Sequence, residues 1–359
     1  MGEHYGKTAN VGSVRTGRYG HEIIGQNVRD RKSSIGRRQT AIGFSQSNQS
    51  DEGSHISGSK ESLAELRIDG AGGGGNIGGT TSAKSVHRQT VGNRICEQIN
   101  NKKMKTLVIA NQKGGVGKTA TLVHLAFDFF ERGLNVAVID LDTQGNASFT
   151  LKAHKTGFIS SKIFSGVDAG NTLTINGDEP RLALIESDPD LANLDKVNVS
   201  EAGRLFKTSI KLLEDKGYDI CLIDTAPSLG VAMASALLVA DYVLSPIELE
   251  AYSIQGIKKM VTAITSIRKT NQKLNFIGMV ASKVDARNPR HVRHLDELNR
   301  VYAQFMVPTS IGLRSSIGDA LASCVPVWKI KKTAARKATT EIRALASYVY
   351  EKMELNNGR

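Results

Sequence analysis

Between Gln112 and Ala120 the chain reads QKGGVGKTA, a run built from the residue types that grip a phosphate. Gly114, Gly115 and Gly117 carry no Cβ, so backbone N–H groups can crowd around phosphate oxygens. Val116 and Ala120 complete the cradle with their own N–H groups. Lys118 is spaced to reach the β- and γ-phosphates of a nucleotide, and the Thr119 hydroxyl to bind Mg²⁺. The run departs from the plain G-x-x-x-x-G-K-[ST] pattern, because Gln112 stands where the first glycine belongs and Lys113 follows it. Since Lys118 already serves the phosphates of its own loop, one physical use for Lys113 is to reach a nucleotide held by a facing subunit.

Three carboxylates close apolar runs further on. VAVIDLD (136–142) carries Asp140 and Asp142 to its end, and YDICLID (218–224) ends at Asp224. In a parallel sheet such strand ends line the crevice above the phosphate loop. Asp224 fits the aspartate that holds Mg²⁺ through water, and Asp140 is counted with it and Thr119 as a candidate metal residue. Asp142 opens the loop DTQGNAS and is the better candidate to orient an attacking water. A later run, NFIGMVASKVD (275–285), ends in Ser282-Lys283-Val284-Asp285, which is similar to the [NT]KxD tetrapeptide that reads guanine.

These residues need elements to position them. TLVIAN (106–111) reads as a buried strand, and TLVHLAFDFFERG as an amphipathic helix ending at Gly133. Strand, glycine-rich turn and helix in succession are the context a phosphate loop requires, the helix N-terminus adding its partial positive charge. Leu229 to Ala240 suits a buried helix, and Ile342, Leu345, Ala346 and Val349, with Trp328, suit a C-terminal helix docked on the core. His124 falls on the helix after the loop and reads as a packing residue. The expected fold is α/β: a doubly wound, mostly parallel sheet with helices on both faces.

The chain has two parts. All seven prolines lie beyond residue 103, whereas 18 of the 35 glycines lie within the first 103 residues, including the run AGGGGNIGG at 71–79. Residues 1–103 hold no sustained apolar period and cannot offset their ordering entropy, so a flexible, basic arm is expected there, with one short helix over Ser62–Ile68. The folded part, 104–359, opens at Met104, where a shorter product could also begin. Cys96, Cys221 and Cys324 form no close pair, which argues against a disulfide framework. Neither a spanning run nor an N-terminal apolar signal segment is legible, so a cytoplasmic protein is expected. The net charge of +12, from 47 Lys and Arg against 35 Asp and Glu, is shared equally by the two parts and suggests a polyanionic partner.

KGGVGKT (113–119), DLDTQGNAS (140–148) and DTAPSLG (224–230) together resemble the deviant Walker-A ATPases of the ParA/MinD family. IELEAYSIQGI (247–257) brings the resemblance closest to the ParA-type partition proteins, over residues 105 to about 355. It implies ATP with Mg²⁺, in place of the GTP that the tetrapeptide suggests. It implies that Lys113 acts across a nucleotide-sandwich homodimer, that Lys118 and Thr119 bind phosphate and Mg²⁺, and that Asp142 serves hydrolysis. A ParB-type centromere-binding partner would stimulate that hydrolysis.

In such proteins basic residues of the C-terminal half hold double-stranded nucleoid DNA without sequence preference in the ATP-bound dimer. The candidates are Arg287, Arg290 and Arg293 in VDARNPRHVRH, Arg314 before a helix, and Lys329, Lys331, Lys332, Arg336 and Lys337 in WKIKKTAARKA. The same stripe is also what a solvated basic face looks like. The arm lacks the periodicity of an operator-binding winged helix, so operator-specific repression is not expected. A membrane-positioning ATPase of the MinD kind would need a basic amphipathic tail, and the chain ends in a polar one. A metabolic P-loop ligase would instead turn over ATP in response to a small substrate.

Overall fold

The computed structural model describes residues 103–166, 173, 179–250 and 253–355. The arm expected over 1–103, with its helix at Ser62–Ile68, lies outside the described residues except for Lys103. Among the described residues eight strands, β1 (Lys105–Ile109), β2 (Val136–Leu141), β3 (Lys155–Ile159), β4 (Leu182–Glu186), β5 (Ile220–Thr225), β6 (Tyr242–Glu248), β7 (Asn275–Val284) and β8 (Met306–Gly312), form one sheet in the order β3-β4-β2-β5-β1-β6-β7-β8. Every neighbouring pair is parallel. Hydrophobic alternation along the central strands feeds two cores. Val108, Ile139, Cys221 and Ile223 face one, whereas Leu107, Ile109, Val138 and Leu222 face the other. The first core is covered by α3 (Val199–Asp215), α4 (Val231–Val239) and α5 (Ser253–Arg268), the second by α1 (Lys118–Glu131) and α8 (Thr333–Lys352). The fold is therefore the doubly wound α/β sheet expected.

From β1 the chain builds β2 to β5 on one side and then crosses to β6, β7 and β8 on the other, so the strand order reverses at β1. Such a switch point opens a crevice at the C-terminal strand ends, where the glycine-rich turn follows β1. Helix α1 ends as its sequence indicated. Gly133 takes a left-handed φ of 84°, while Leu134 N–H reaches Phe129 O at 3.1 Å and Gly133 N–H reaches Phe130 O at 2.9 Å. The run expected as a helix from Leu229 starts two residues later, and Leu229 itself is exposed.

His124 packs as expected and does so in a defined tautomer. Its Nδ1–H donates to Ala120 O at 2.7 Å, and its Nε2 accepts from Val327 N–H at 3.2 Å, stitching α1 to the turn before α8. Burial lowers its pKa to about 4, against the partial opposition of the Ala120 bond. The folded protein therefore resists protonation that the unfolded chain accepts near pH 6.5. Stability from this group is complete above pH 6.5 and falls as the pH drops toward 4, by about 3 kcal/mol in all. Urea unfolding at pH 7 and pH 4.5 should show a shallower loss for His124→Gln than for the parent chain, because glutamine can still accept from Val327 but does not titrate.

Candidate nucleotide-binding site

The turn after β1 is fixed before its glycines begin. Asn111 donates to Pro246 O at 2.8 Å on β6, and its Oδ1 accepts from Lys113 N–H at 2.8 Å. Gly115 and Gly117 have φ of 77° and 89°, which a side chain resists. A Cβ on Gly117 would also fall 2.8 Å from Ser282 Oγ. The Val116 side chain is buried, which leaves only its backbone for a ligand. Gly117 caps α1, whose first residue, Lys118, is buried and reaches back to donate to Lys113 O at 3.2 Å. Burial lowers the Lys118 pKa, with Asp224 and then Asp142 opposing it.

Strand register brings the acidic residues together. Asp224 lies beside Ile109 on one side and Asp140 on the other. Thr119 Oγ1 donates to Asp224 Oδ2 at 2.7 Å, joining the loop to β5. Asp224 is fully buried, and this desolvation, with the charge of Asp140 beside it, raises its pKa to about 8. A hydroxyl beside a desolvated carboxylate forms a hard-oxygen donor pair that fits Mg²⁺. No three His, Cys, Asp or Glu side chains converge to cage a metal among the described residues. A cation here would share its coordination with phosphate and water, as Mg²⁺ usually does.

Asp140, counted in the sequence as a candidate metal residue, also holds the loop that follows it. Its Oδ1 accepts from Asp142 N–H at 3.1 Å, and its Oδ2 from the N–H and hydroxyl of Ser148 at 2.8 and 2.7 Å. Both oxygens thus close the loop that follows β2 and tie it to α2 (Asn146–Thr150), the short helix that carries Ser148. Asp142 lines the cleft with Gln144 of the same loop and Asn146 at the start of α2, together with Lys118, Thr119 and Pro227, in a volume of about 550 Å³. Its carbonyl accepts from Ser187 Oγ at 2.6 Å and Gly145 N–H at 2.8 Å, which fixes the loop's backbone.

A second cavity, of about 200 Å³, adjoins the first at Gly117, Ala120 and Lys283 and is walled by Ile311, Leu313, Ile317 and Ile342. No apolar compartment was legible here, because its walls come from β8, α7 (Ser315–Ala322) and α8. The tetrapeptide that suggested guanine supplied the available signal. Ser282 and Lys283 do line this cavity, but the Asp285 carboxylate is engaged by Arg287 N–H and Nε at 3.0 and 3.2 Å.

Lys113 is not directed into its own cleft. Its Nζ donates to Glu248 Oε2 at 3.0 Å and also to Glu250, while Lys283 Nζ holds Glu248 Oε1 at 3.0 Å. Burial works to lower the Lys113 pKa, but the bonds to Glu250 and Glu248 outweigh it and raise it. Burial likewise works to raise Glu248, yet Lys283 and Lys113 hold it below the usual range. Neither glutamate was singled out in the sequence, since each lies about 135 residues from the lysine it meets.

The basic residues separate into groups. Arg290 and Arg293 are exposed on α6 (Pro289–Val301), preceded by Arg287, whose side chain is 90% exposed. Lys329, Lys331, Arg336 and Lys337 are exposed around the start of α8, and Lys332 donates to Asp319 at 2.7 Å. Arg314 departs from the expected set. It forms a two-pronged, half-buried pair with Glu341, at 3.1 Å through Nε and 2.5 Å through Nη2, and lines the apolar cavity. A guanidinium so engaged is poorly placed to bind DNA phosphate. His291 Nδ1 accepts from Asp285 N–H and His294 Nδ1–H donates to Leu249 O, consistent with structural roles.

A glycine-rich loop at the switch point of a parallel sheet, with Lys118, Thr119 and Asp224 gathered at its mouth, defines a P-loop nucleotide-binding domain. The sequence model of the AAA domain family matches residues 104–276. Protein IncC of Escherichia coli is 63% identical over 284 residues, covering 78% of each chain. The chromosome-partitioning ATPase Soj of Thermus thermophilus is 31% identical over 187 residues, 52% of this chain and 72% of Soj. The crystal structure of cobyrinic acid a,c-diamide synthase from Mycobacterium smegmatis, with bound ATP analogue and magnesium, superimposes with a TM-score of 0.58 at 25% identity, covering 71% of this chain and 97% of the synthase. The chain belongs to the ParA/MinD family.

Proposed function

We propose that residues 104–359 form a partition ATPase that uses ATP and Mg²⁺ to switch its hold on DNA during plasmid segregation. The observation that carries this reading is the placement of two lysines on one loop, with Lys118 buried against the cleft and Lys113 47% exposed on its outer side. One serves the phosphates of its own copy, and the other is positioned to meet those of a second copy. Similarity to IncC and to Soj supports partition over the ligase chemistry of the equally folded synthase. Among the described residues no helix is long and apolar enough to cross a membrane, and we place the protein in the cytoplasm on the nucleoid.

In this reading Lys118 and the loop N–H groups bind the triphosphate, and Thr119 with Asp224 holds Mg²⁺, which neutralises phosphate charge. The apolar cavity beyond Gly117 receives the base. Asp142 orients the attacking water. The closed homodimer aligns the basic residues of α6 and of the start of α8 on duplex phosphates, and a ParB-type partner hastens hydrolysis and release. ATP can act as a switch only by favouring the DNA-competent form.

Mobility shifts on unrelated duplexes should appear with ATP and disappear with ADP or without nucleotide; equal binding in all three conditions would refute the switch. Each phosphate contact contributes about −0.9 to the slope of log K against log salt. Because the homodimer carries two copies of Arg290, Arg290→Ala should flatten that slope by about two units on every duplex alike, whereas an unchanged slope would remove Arg290 from the interface. Arg314→Ala should leave the slope unchanged.

A further inference from the structure

We propose that Glu248 and Glu250 latch Lys113 within its own subunit, and that Lys283 is the positioning residue that allows the latch to open. The proposal rests on the reading that Lys113 serves the nucleotide of a second copy, and it adds what restrains that lysine beforehand.

An ammonium already bonded to two carboxylates is withheld from the phosphates of another subunit. The two carboxylates differ in their surroundings. Glu250 has a side chain 58% exposed, so water can solvate it once Lys113 departs. Glu248 closes β6 and its side chain is only 16% exposed, where a carboxylate deprived of positive charge is disfavoured. Lys283 holds the other oxygen of Glu248 and keeps an ammonium there when Lys113 leaves.

The backbone around Lys283 is shaped for this position. Lys283 takes a φ of 54°, a left-handed conformation unfavourable for a residue with a side chain. This strain lies at the end of β7, in the wall shared by the phosphate cleft and the apolar cavity. There Nζ lies 3.9 Å from where a Cβ on Gly115 would stand. The lysine that secures Glu248 thus borders the space a nucleotide would enter, so occupancy of the cleft and release of Lys113 meet at one carboxylate. The Lys113 and Glu250 side chains are 47% and 58% exposed, so that arm of the latch is weak enough for a ligand to open.

Two measurements test the latch. In the nucleotide-free full-length chain, acylation of Lys113 followed by mass spectrometry should run about fivefold faster in Glu248→Gln/Glu250→Gln than in the parent, the scale of an exposed ion pair. Sedimentation with AMPPNP should show Glu250→Gln dimerising at lower protein concentration than the parent. Lys283→Met should require about tenfold more protein than the parent, on the scale of a charge-assisted hydrogen bond, and Lys283→Arg should restore the parent's behaviour. Unchanged Lys113 acylation, unchanged or weaker dimerisation of Glu250→Gln, or failure of arginine to rescue would overturn the latch. A parent chain that stays monomeric with AMPPNP would instead sink the function on which it rests.

Discussion

Asp142→Ala should slow ATP turnover by about 10²- to 10⁴-fold, the range contributed by a carboxylate that positions or accepts a proton, while leaving nucleotide binding and the ATP-dependent hold on DNA in place. The separation follows from how the loop is built. What anchors the loop at this point is the Asp142 backbone, through Ser187 Oγ and Gly145 N–H on its carbonyl and Asp140 on its N–H. The carboxylate makes one local bond, accepting from Gln144 N–H at 3.0 Å, and otherwise borders the cleft. Truncation therefore removes chemistry and spares the loop. The contrasting change is Asp140→Ala, which deprives Asp142 N–H and both Ser148 donors of their acceptor inside the fold and should weaken nucleotide binding and stability together. Phosphate release and nucleotide binding, measured on both variants, separate the two roles. Turnover within twofold of the parent in Asp142→Ala would remove that residue from the chemistry.

The difference between these two aspartates shows where sequence reading reached and where it stopped. Both close the same apolar run, and their type and spacing are equally suggestive. Only the three-dimensional path of the loop shows that Asp140 turns back to hold Ser148. The core strands β1, β2, β5 and β7 were legible because both of their faces are buried and their apolar runs are nearly continuous. Edge strands gave weaker signals: β3 reads KTGFI with exposed positions, and β8 carries Pro308. The phosphate loop is local in sequence and so was legible whole. The partners that redirect its neighbours are not local. Glu341 engages Arg314 from 27 residues away, and nothing in the run before α7 announces it. The basic side chains at 287, 290 and 293 and at 329–337 are exposed, and two of them, Arg287 and Lys332, also pair with nearby carboxylates.

The largest stability effect is expected at Asp128, whose carboxylate is fully buried between α1 and α8. Arg132 Nε reaches it at 2.5 Å from the C-terminal cap of α1, and Arg343 reaches it from α8 while also pairing with Glu131. The Arg343 guanidinium lies 3.7 Å from the ring centroid of Trp328, whose Nε1–H donates to Glu131 at 2.8 Å. Arg132 adds a 2.9 Å bond to Ser347 and stacks against Tyr350. Two arginines thus share one carboxylate, so Asp128→Ala leaves two cations facing each other without it. Breaking such a pair from one side costs about 3–5 kcal/mol, which for a domain of this size lowers the melting temperature by about 6–20 °C. Removing charge from both sides, as in Asp128→Leu/Arg343→Met, should recover much of the loss, because well-packed apolar groups replace buried ion pairs at little net cost. The consequence extends to function. Helix α1 starts at the phosphate loop, and α8 starts at Thr333 with Arg336 and Lys337 in its first turns, so this clamp ties the nucleotide cradle to the cations proposed to meet DNA. Asp128→Ala, assayed below its own melting transition, should keep nucleotide affinity yet bind DNA more weakly with ATP than the parent. If thermal unfolding shifts by less than 2 °C, the clamp does not hold the two helices together.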